Sequence, residues 1–122
     1  MKKISIPGTD LVVSNVCLGG GGHGYDTTLA ERLIDEYLDY GGNFLDTANI
    51  YGKWQPGGGT ADSELFLGEY IAKRGVRDRI VLDTKGGSPY YDTRDIPRCT
   101  PHEIREDMEE SLRNLRVDYV DL

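Results

Sequence analysis

Asp46, Tyr51 and Lys85 have the residue types and the spacing that could carry a proton transfer. Asp46 and Lys85 each end a short apolar run typical of a strand, and Tyr51 follows in the loop after the first run. A tyrosine, with an ordinary pKa of about 10, is a weak acid at neutral pH, and a buried ammonium beside it favours the phenolate. An aspartate paired with that lysine keeps the ammonium charged and oriented. This set of residues could donate a proton to a carbonyl oxygen while another group supplies hydride.

Each of these three residues also has an ordinary structural explanation. Asp46 could cap the loop that follows it, Tyr51 is one of eight tyrosines, and Lys85 could be a solvated surface residue. Taken singly, these explanations are the simpler ones. The choice therefore depends on the elements that position the three residues and on the sequence segments around them.

Short apolar runs separated by turn residues predict the strands of the chain. The runs at residues 3–6 and 11–13 flank the turn residues 7–10, which predicts an opening β-hairpin. Further strands are predicted at residues 15–18, 43–46, 79–84 and 118–122. The last of these strands reaches the end of the sequence.

Capping residues and helical periodicity predict helices between these strands. The first helix follows a capping box of Thr28 and Glu31 and ends at the glycine pair 41–42, with Leu29, Leu33, Ile34, Tyr37 and Leu38 at helical spacing. The second covers residues 62–74 and is closed by Gly75. The third has Thr100 as N-cap, followed by Pro101 and Glu103.

The alternation of strands and helices predicts an α/β fold with right-handed crossovers and a parallel sheet. The glycine run 19–24 satisfies the pattern G-x-G-x-x-G, and Asp46 lies about twenty residues beyond it, so a Rossmann-type dinucleotide-binding domain is one alternative. Residues 25–27, however, separate the glycine run from the predicted helix start. The opening hairpin suits the bottom of a closed barrel, whose chemistry lies at the carboxyl ends of its strands.

Several segments together resemble the aldo-keto reductase family. Residues 42–52, GNFLDTANIYG, resemble the family's second-strand motif with its catalytic aspartate and tyrosine. Ser63-Glu64 with Leu67-Gly68 resembles the next helix, Thr84-Lys85 the strand of the catalytic lysine, and residues 111–122 the helix and strand that follow. The resemblance covers essentially the whole chain and about the first third to half of a family member.

The resemblance implies the N-terminal part of a (β/α)8 TIM barrel, preceded by a β-hairpin and truncated within strand 4. Residues 1–122 would form one partial barrel, made of the hairpin and about three and a half βα units. The family reduces aldehydes or ketones to alcohols with NADPH or NADH, so Tyr51 would donate the proton while Lys85 and Asp46 tune it. The family's fourth catalytic residue is a histidine near the end of strand 4, which would fall just beyond Leu122.

The resemblance also suggests contacts around this centre. Gly21, Gly22 and Asp46 would bind the cofactor. His23 and Trp54 would lie near the substrate, although a loop histidine is often only solvated and Trp54 could pack under its own glycines. His102, at the start of the third helix, is expected on the surface.

The resemblance implies a small-molecule carbonyl substrate, and the composition argues against two other classes of partner. The net charge of −7 and the absence of a Lys/Arg cluster argue against nucleic acid, and no apolar run is long enough to span a membrane. Cys17 and Cys99 have no partner at metal-ligand spacing, which favours reduced thiols in a cytoplasmic protein without a metal site. The alternative function is a non-catalytic half-barrel that associates with another copy or chain through exposed strand edges.

Overall fold

The computed structural model describes residues 1–20, 26–53 and 59–122. Gly21, Gly22 and His23 in the first loop, and Trp54 in the loop after Tyr51, lie outside the described residues. The cofactor and substrate contacts predicted for these four residues therefore stay predictions.

The chain opens with the predicted hairpin. Strands β1 (Lys3–Ser5) and β2 (Val12–Ser14) pair antiparallel. Asn43 ties this hairpin to the sheet that follows: its side-chain oxygen accepts from the backbone N–H of Ser14 at 2.7 Å, and its amide nitrogen donates to the Val12 carbonyl at 2.9 Å. Asn43 directly precedes the strand that begins at Phe44. The hairpin therefore lies at the amino end of the sheet, opposite the end where the chemistry is expected.

A three-stranded parallel sheet follows, with the order β3 (Leu18–Gly19), β4 (Phe44–Asp46) and β5 (Val81–Asp83). The prediction of strand β3 was too early in the sequence, because regular pairing begins only at Leu18. This arrangement confirms the α/β class and the parallel sheet.

The predicted strand at residues 118–122 is not a regular strand. The segment does lie beside β5, since the Asp121 N–H donates to the Leu82 carbonyl at 2.9 Å and the Thr84 N–H donates to the Leu122 carbonyl at 3.2 Å. The N–H of Leu82, however, donates to the Asp121 carboxylate at 2.8 Å, a side-chain acceptor in place of a backbone carbonyl. That substitution interrupts the ladder of backbone bonds which defines a strand.

The helices are α1 (Thr27–Asp39), α2 (Asp62–Arg74) and α3 (Pro101–Leu115). The bounds of α2 and the start of α3 agree with the prediction, and α3 has the complete capping box of Thr100 and Glu103. The capping box predicted for α1 was wrong. Its N-cap is Asp26, whose carboxylate accepts from the Thr28 N–H at 2.8 Å and so satisfies one of the free donors at the helix start.

The hydrophobic core lies between the sheet and the helices. Leu45 of β4 and Leu82 of β5 are 1% and 0% exposed, and they pack with Leu67 of α2 and Leu115 of α3. Helices α2 and α3 come so close at Gly68 that a β-carbon there would lie 2.2 Å from the Asn114 carbonyl oxygen. This contact requires glycine, because any larger residue would push the two helices apart.

One face of α1 is less buried than its periodicity predicts. Ile34, Tyr37 and Leu38 belong to the core, whereas Leu29 and Leu33 are 61% and 55% exposed. The two exposed leucines line an apolar groove of about 400 Å³ between α1 and β3. Within the described ranges, no helix has the length and apolarity needed to cross a membrane.

Candidate active site

The register of the parallel sheet brings two acidic side chains together at its carboxyl end. Asp46, the last residue of β4, is the direct neighbour of Asp83, the last residue of β5. Side chains alternate between the two faces of a strand, so Asp46 and Asp83 project away from the helices that cover Leu45 and Leu82. Lys85 follows two residues after Asp83, close to the same acidic groups.

Lys85 binds Asp46 directly. Its Nζ donates to Asp46 Oδ1 at 2.5 Å and to the carbonyl oxygen of Thr47 at 2.6 Å. Burial alone would lower the pKa of Lys85, but the hydrogen bond to Asp46 and the negative charges around it outweigh burial and raise that pKa. The lysine is therefore held in its charged form. Its side chain is 47% exposed, so the expectation of a buried lysine was wrong.

Tyr51 lies beside this ion pair. The Lys85 Nζ is 5.0 Å from the centre of the Tyr51 ring, within the range of a cation–π contact. The loop that carries Tyr51 is fixed by its backbone, since the Tyr51 N–H donates to the Ala48 carbonyl and the Tyr51 carbonyl accepts from the Ser63 N–H. The structure thus brings together the three residues that the sequence predicts for proton transfer.

A network centred on Asn49 connects the Tyr51 loop to the rest of the fold. The Asn49 N–H donates to the Lys85 carbonyl at 3.0 Å, and the side-chain amide donates to Glu110 of α3 at 3.1 Å. Lys53 joins the same network, with its Nζ 2.8 Å from the Asn49 side-chain oxygen and 2.7 Å from Glu110. Sequence analysis missed this support because its members come from different segments.

A second network fixes the residue before Lys85. Glu64 of α2 is fully buried and accepts from the Thr84 hydroxyl at 2.7 Å and from the Asn114 side chain at 2.9 Å. A buried carboxyl group costs stability unless its oxygens are hydrogen bonded, so these contacts offset the cost of burying Glu64. They also hold the end of β5, and with it the start of the Lys85 side chain.

Gly20 lets the carboxyl ends of β3 and β4 approach closely. Its N–H donates to the Asp46 carbonyl, and its own carbonyl accepts from the Ser63 hydroxyl at 3.1 Å. A β-carbon at this position would lie 2.8 Å from the Ser63 oxygen and 3.0 Å from the Asp46 carbonyl oxygen. At the preceding Gly19, which pairs with Asp46, no described residue would lie within 4 Å of a β-carbon.

Asp107 of α3 holds the segment that follows Lys85. Its carboxylate accepts from the Gly87 N–H at 2.8 Å and from both terminal nitrogens of Arg98, at 3.1 and 2.7 Å. Arg98 and Asp107 are both buried, which makes their two-point contact rigid. One carboxylate therefore fixes the two ends of the segment 88–97.

Asp83 is the acidic neighbour that sequence analysis missed. Burial raises its pKa to about 6, and its contact with Asp46 adds to the effect, while the charge of Lys85 opposes it. Burial and the two aspartates likewise raise the pKa of Cys17, which precedes β3, to about 11. The spacing of Asp83 and Lys85, two residues apart at a strand end, was the signal that could have identified it.

His102 lies where the sequence predicts, at the exposed start of α3. Its side chain is 80% exposed, with its Nε2 3.5 Å from Glu106. It therefore takes no part in the cluster around Lys85.

Comparison with protein-family profiles matches residues 15–122 to the aldo/keto reductase family. The chain belongs to that family. The match selects the barrel over the Rossmann-type alternative, because the solved aldo-keto reductases that the chain resembles imply a (β/α)8 barrel family. The chain itself is a partial α/β unit of that fold.

Individual aldo/keto reductase relatives agree with the family match. The chain is 40% identical over 121 residues to the uncharacterized oxidoreductase YrpG of Bacillus subtilis, covering 93% of this chain and 36% of that protein. It is 36% identical to the norsolorinic acid reductase stcV of Emericella nidulans, covering 98% and 33%. The structure of the aldo-keto reductase AKR11C1 from Bacillus halodurans, in its holo form, superposes with a TM-score of 0.76 and 34% identity, covering 98% and 38%. The chain thus spans about a third of the length of these curated relatives.

Proposed function

We propose that the protein containing this chain reduces aldehydes or ketones to alcohols with NADPH or NADH. The observation that carries the proposal is the position of Lys85, whose ammonium binds Asp46 at 2.5 Å and lies 5.0 Å from the Tyr51 ring centre. Membership of the aldo/keto reductase family supports the same reaction class. The reductase name of the Emericella relative supports reduction as the reaction, and other relatives are named aryl-alcohol dehydrogenases, which act on the same pair of functional groups.

Tyr51 is the proton donor in this proposal. Its hydroxyl binds the carbonyl oxygen of the substrate and transfers its proton to that oxygen as negative charge develops there. The ammonium of Lys85 stabilises the phenolate that remains, and Asp46 keeps the ammonium charged and directed toward the ring. When bound, the nicotinamide cofactor supplies the hydride to the carbonyl carbon.

The described residues fit a flat nicotinamide ring beside Asp46. Gly19 ends β3 next to Asp46, and no described residue would lie within 4 Å of a β-carbon there. In the proposal Asp46 contacts the cofactor at this position, and Gly21 and Gly22 also bind the cofactor. His23 and Trp54 are the proposed substrate contacts.

Replacing the proton donor tests the proposal. In the polypeptide that carries this chain, Tyr51→Phe should lower kcat for an aromatic aldehyde by about 100-fold or more, because the ring stays while the proton is lost. The rate is followed by the consumption of NADPH, and cofactor affinity by fluorescence titration. Affinity should change little, since the variant keeps the ring.

The matched control is Tyr40→Phe, which removes the hydroxyl of a tyrosine that is 74% exposed at the end of α1. This variant should keep the wild-type rate. Full turnover in Tyr51→Phe would overturn the role of Tyr51, and absence of carbonyl reduction by the wild-type protein would overturn the proposed function.

We propose the cytoplasm as the location of this activity. Cys17 and Cys99 are both unbridged, which agrees with a reducing compartment.

We propose self-association as a second candidate property of the chain. Within the described residues, β3 pairs only with β4, and the groove beside it exposes Leu29 and Leu33. An unpaired strand edge next to apolar side chains favours pairing with a second copy. Light scattering should then show a dimer that Leu33→Lys converts to a monomer. A wild-type chain that stays monomeric at all concentrations would overturn this candidate.

A further inference from the structure

Asp83 is an acidic side chain for which the proposed reaction has no use. It stands beside Asp46 in the register of β4 and β5, and adjacent strands of a sheet lie only about 4.8 Å apart. The alternate positions Leu45 and Leu82 are buried on the helix side, so the two aspartates share the other face. Two carboxylates therefore meet at one level of the sheet.

Among the described residues, one cation lies beside these two carboxylates. The Lys85 Nζ donates to Asp46 at 2.5 Å and also to the Thr47 carbonyl, so no described ammonium binds Asp83 equally closely. Two other titratable groups of the described residues belong to this cluster: Cys17, from the segment before β3, interacts with Asp83, and Tyr51 interacts with Lys85. Neighbouring carboxylates resist ionising together, and one of them retains its proton to a higher pH.

We propose that Asp83 is a positioning residue of the reductase site, which shares a proton with Asp46 and so sets the charge of the Asp46–Lys85 pair. In the protonated state, the Asp83 O–H donates to the Asp46 carboxylate, and one negative charge faces the Lys85 ammonium. After ionisation two negative charges face it. Asp83 acts through Asp46 and Lys85 and does not touch the substrate.

The direction of the effect on catalysis follows from this change of charge. An additional carboxylate draws the Lys85 ammonium toward the aspartates and opposes the negative charge that forms on the carbonyl oxygen. Burial and the contact with Asp46 raise the pKa of Asp83 to about 6, so this change falls between acid and neutral pH. Turnover should decline as pH rises through that value. The effect on turnover rests on the proposed function, whereas the proton shared by Asp83 and Asp46 does not.

Carbon-13 NMR of the aspartate carboxyl groups tests the shared proton on the chain itself. Asp83→Asn identifies the Asp83 signal, whose midpoint should lie near 6. In Asp46→Asn the midpoint should fall measurably below that of the wild type, because the competing charge is gone and Lys85 becomes available, while burial keeps it above the ordinary aspartate value of about 4. A midpoint near 4 in the wild type, or one near 6 that Asp46→Asn leaves in place, would overturn the proposal.

Asp10→Asn is the matched control, because Asp10 is exposed in the hairpin turn far from Lys85. It should leave the Asp83 midpoint unchanged, and backbone amide spectra verify that each variant folds. If Asp83→Asn does not fold, the signal that shifts in Asp46→Asn but not in Asp10→Asn identifies Asp83, and the absence of any such signal overturns the proposal.

The kinetic measurement separates this inference from the proposed function. In the full-length reductase, kcat should fall several-fold as pH rises through 6 in the wild type and stay level in Asp83→Asn. A wild type that reduces no carbonyl would remove the proposed function, while the carboxyl titration would still decide the shared proton. If kcat also falls with rising pH in Asp83→Asn, the proposed effect of Asp83 on catalysis is overturned.

Discussion

Neighbouring residues of each strand point to opposite faces of the parallel sheet, and the two faces have different side chains. On the helix side Leu45 and Leu82 are almost fully buried, while on the other side Asp46 and Asp83 gather around Lys85. The first face stabilises the fold by removing apolar surface from water, at about 1.5–3 kcal/mol for each large side chain. The second face holds like charges close together, which costs stability. Adjacent residues of one strand therefore have opposite effects on the stability of the fold.

Removing a side chain from the helix face should give the largest effect. Leu82→Ala leaves a cavity under α2 and α3, and we expect the free energy of unfolding to fall by about 3–5 kcal/mol. Urea denaturation followed by circular dichroism measures this change. A loss below about 1 kcal/mol would show that the core can collapse around the cavity, which would weaken the contrast between the faces.

Asp83→Asn, a substitution on the charged face, should raise the free energy of unfolding, and by less than Leu82→Ala lowers it. The pKa of Asp83 is raised to about 6, so the folded chain keeps a proton that the unfolded chain loses at lower pH, and stability falls as pH rises from about 4 to 6. Asp83→Asn avoids this loss and should be more stable than wild type by on the order of 1 kcal/mol at pH 7, after screening by solvent.

Thermal unfolding across this pH range checks the prediction for Asp83→Asn. The variant and the wild type should converge below about pH 4, where Asp83 becomes protonated in both the folded and the unfolded state. A variant that is less stable than wild type at pH 7 would mean that Asp83 is held mainly by attraction to Lys85.

The smallest effect should come from a surface ion pair outside both faces. Lys73 of α2 binds Glu31 of α1 at 2.8 Å, but the lysine side chain is 58% exposed. Lys73→Ala should change the free energy of unfolding by less than about 0.5 kcal/mol, because water and salt screen an exposed pair. Denaturation in low and high salt measures it and provides a baseline for the other two substitutions. A loss comparable to that of Leu82→Ala would refute this ranking.

Local signals in the sequence predicted some elements well and others poorly. Helices α2 and α3 agree with prediction because their ends are set by residues within one turn, such as Gly75 in the left-handed conformation and the capping box at Thr100. The segment 118–122 was predicted wrongly because the Leu82 N–H donates to the Asp121 side chain and not to a backbone carbonyl of the segment. The hydrophobic pattern of the sequence does not show whether a side chain or a backbone carbonyl accepts this hydrogen bond.

The same distinction applies to the candidate site. Asp46, Tyr51 and Lys85 were found because they lie in segments with a specific family resemblance, and the structure brings them together. Glu64 and Asn49 were missed because their roles depend on partners far along the chain. The register of two strands cannot be read from either strand alone, which is why the pairing of Asp83 with Asp46 required the structure.

The carboxylate of Asp107 bears on how this site could change in evolution. It holds Gly87 and Arg98 at once, so the segment 88–97 leaves the scaffold and returns to it at a fixed base. Loops with fixed ends tolerate changes of length at small entropic cost. The segment could therefore be lengthened, shortened or exchanged while Lys85 keeps its place. Lys85 can therefore be conserved while the neighbouring loop varies, and such variation could give a descendant of this chain a new specificity.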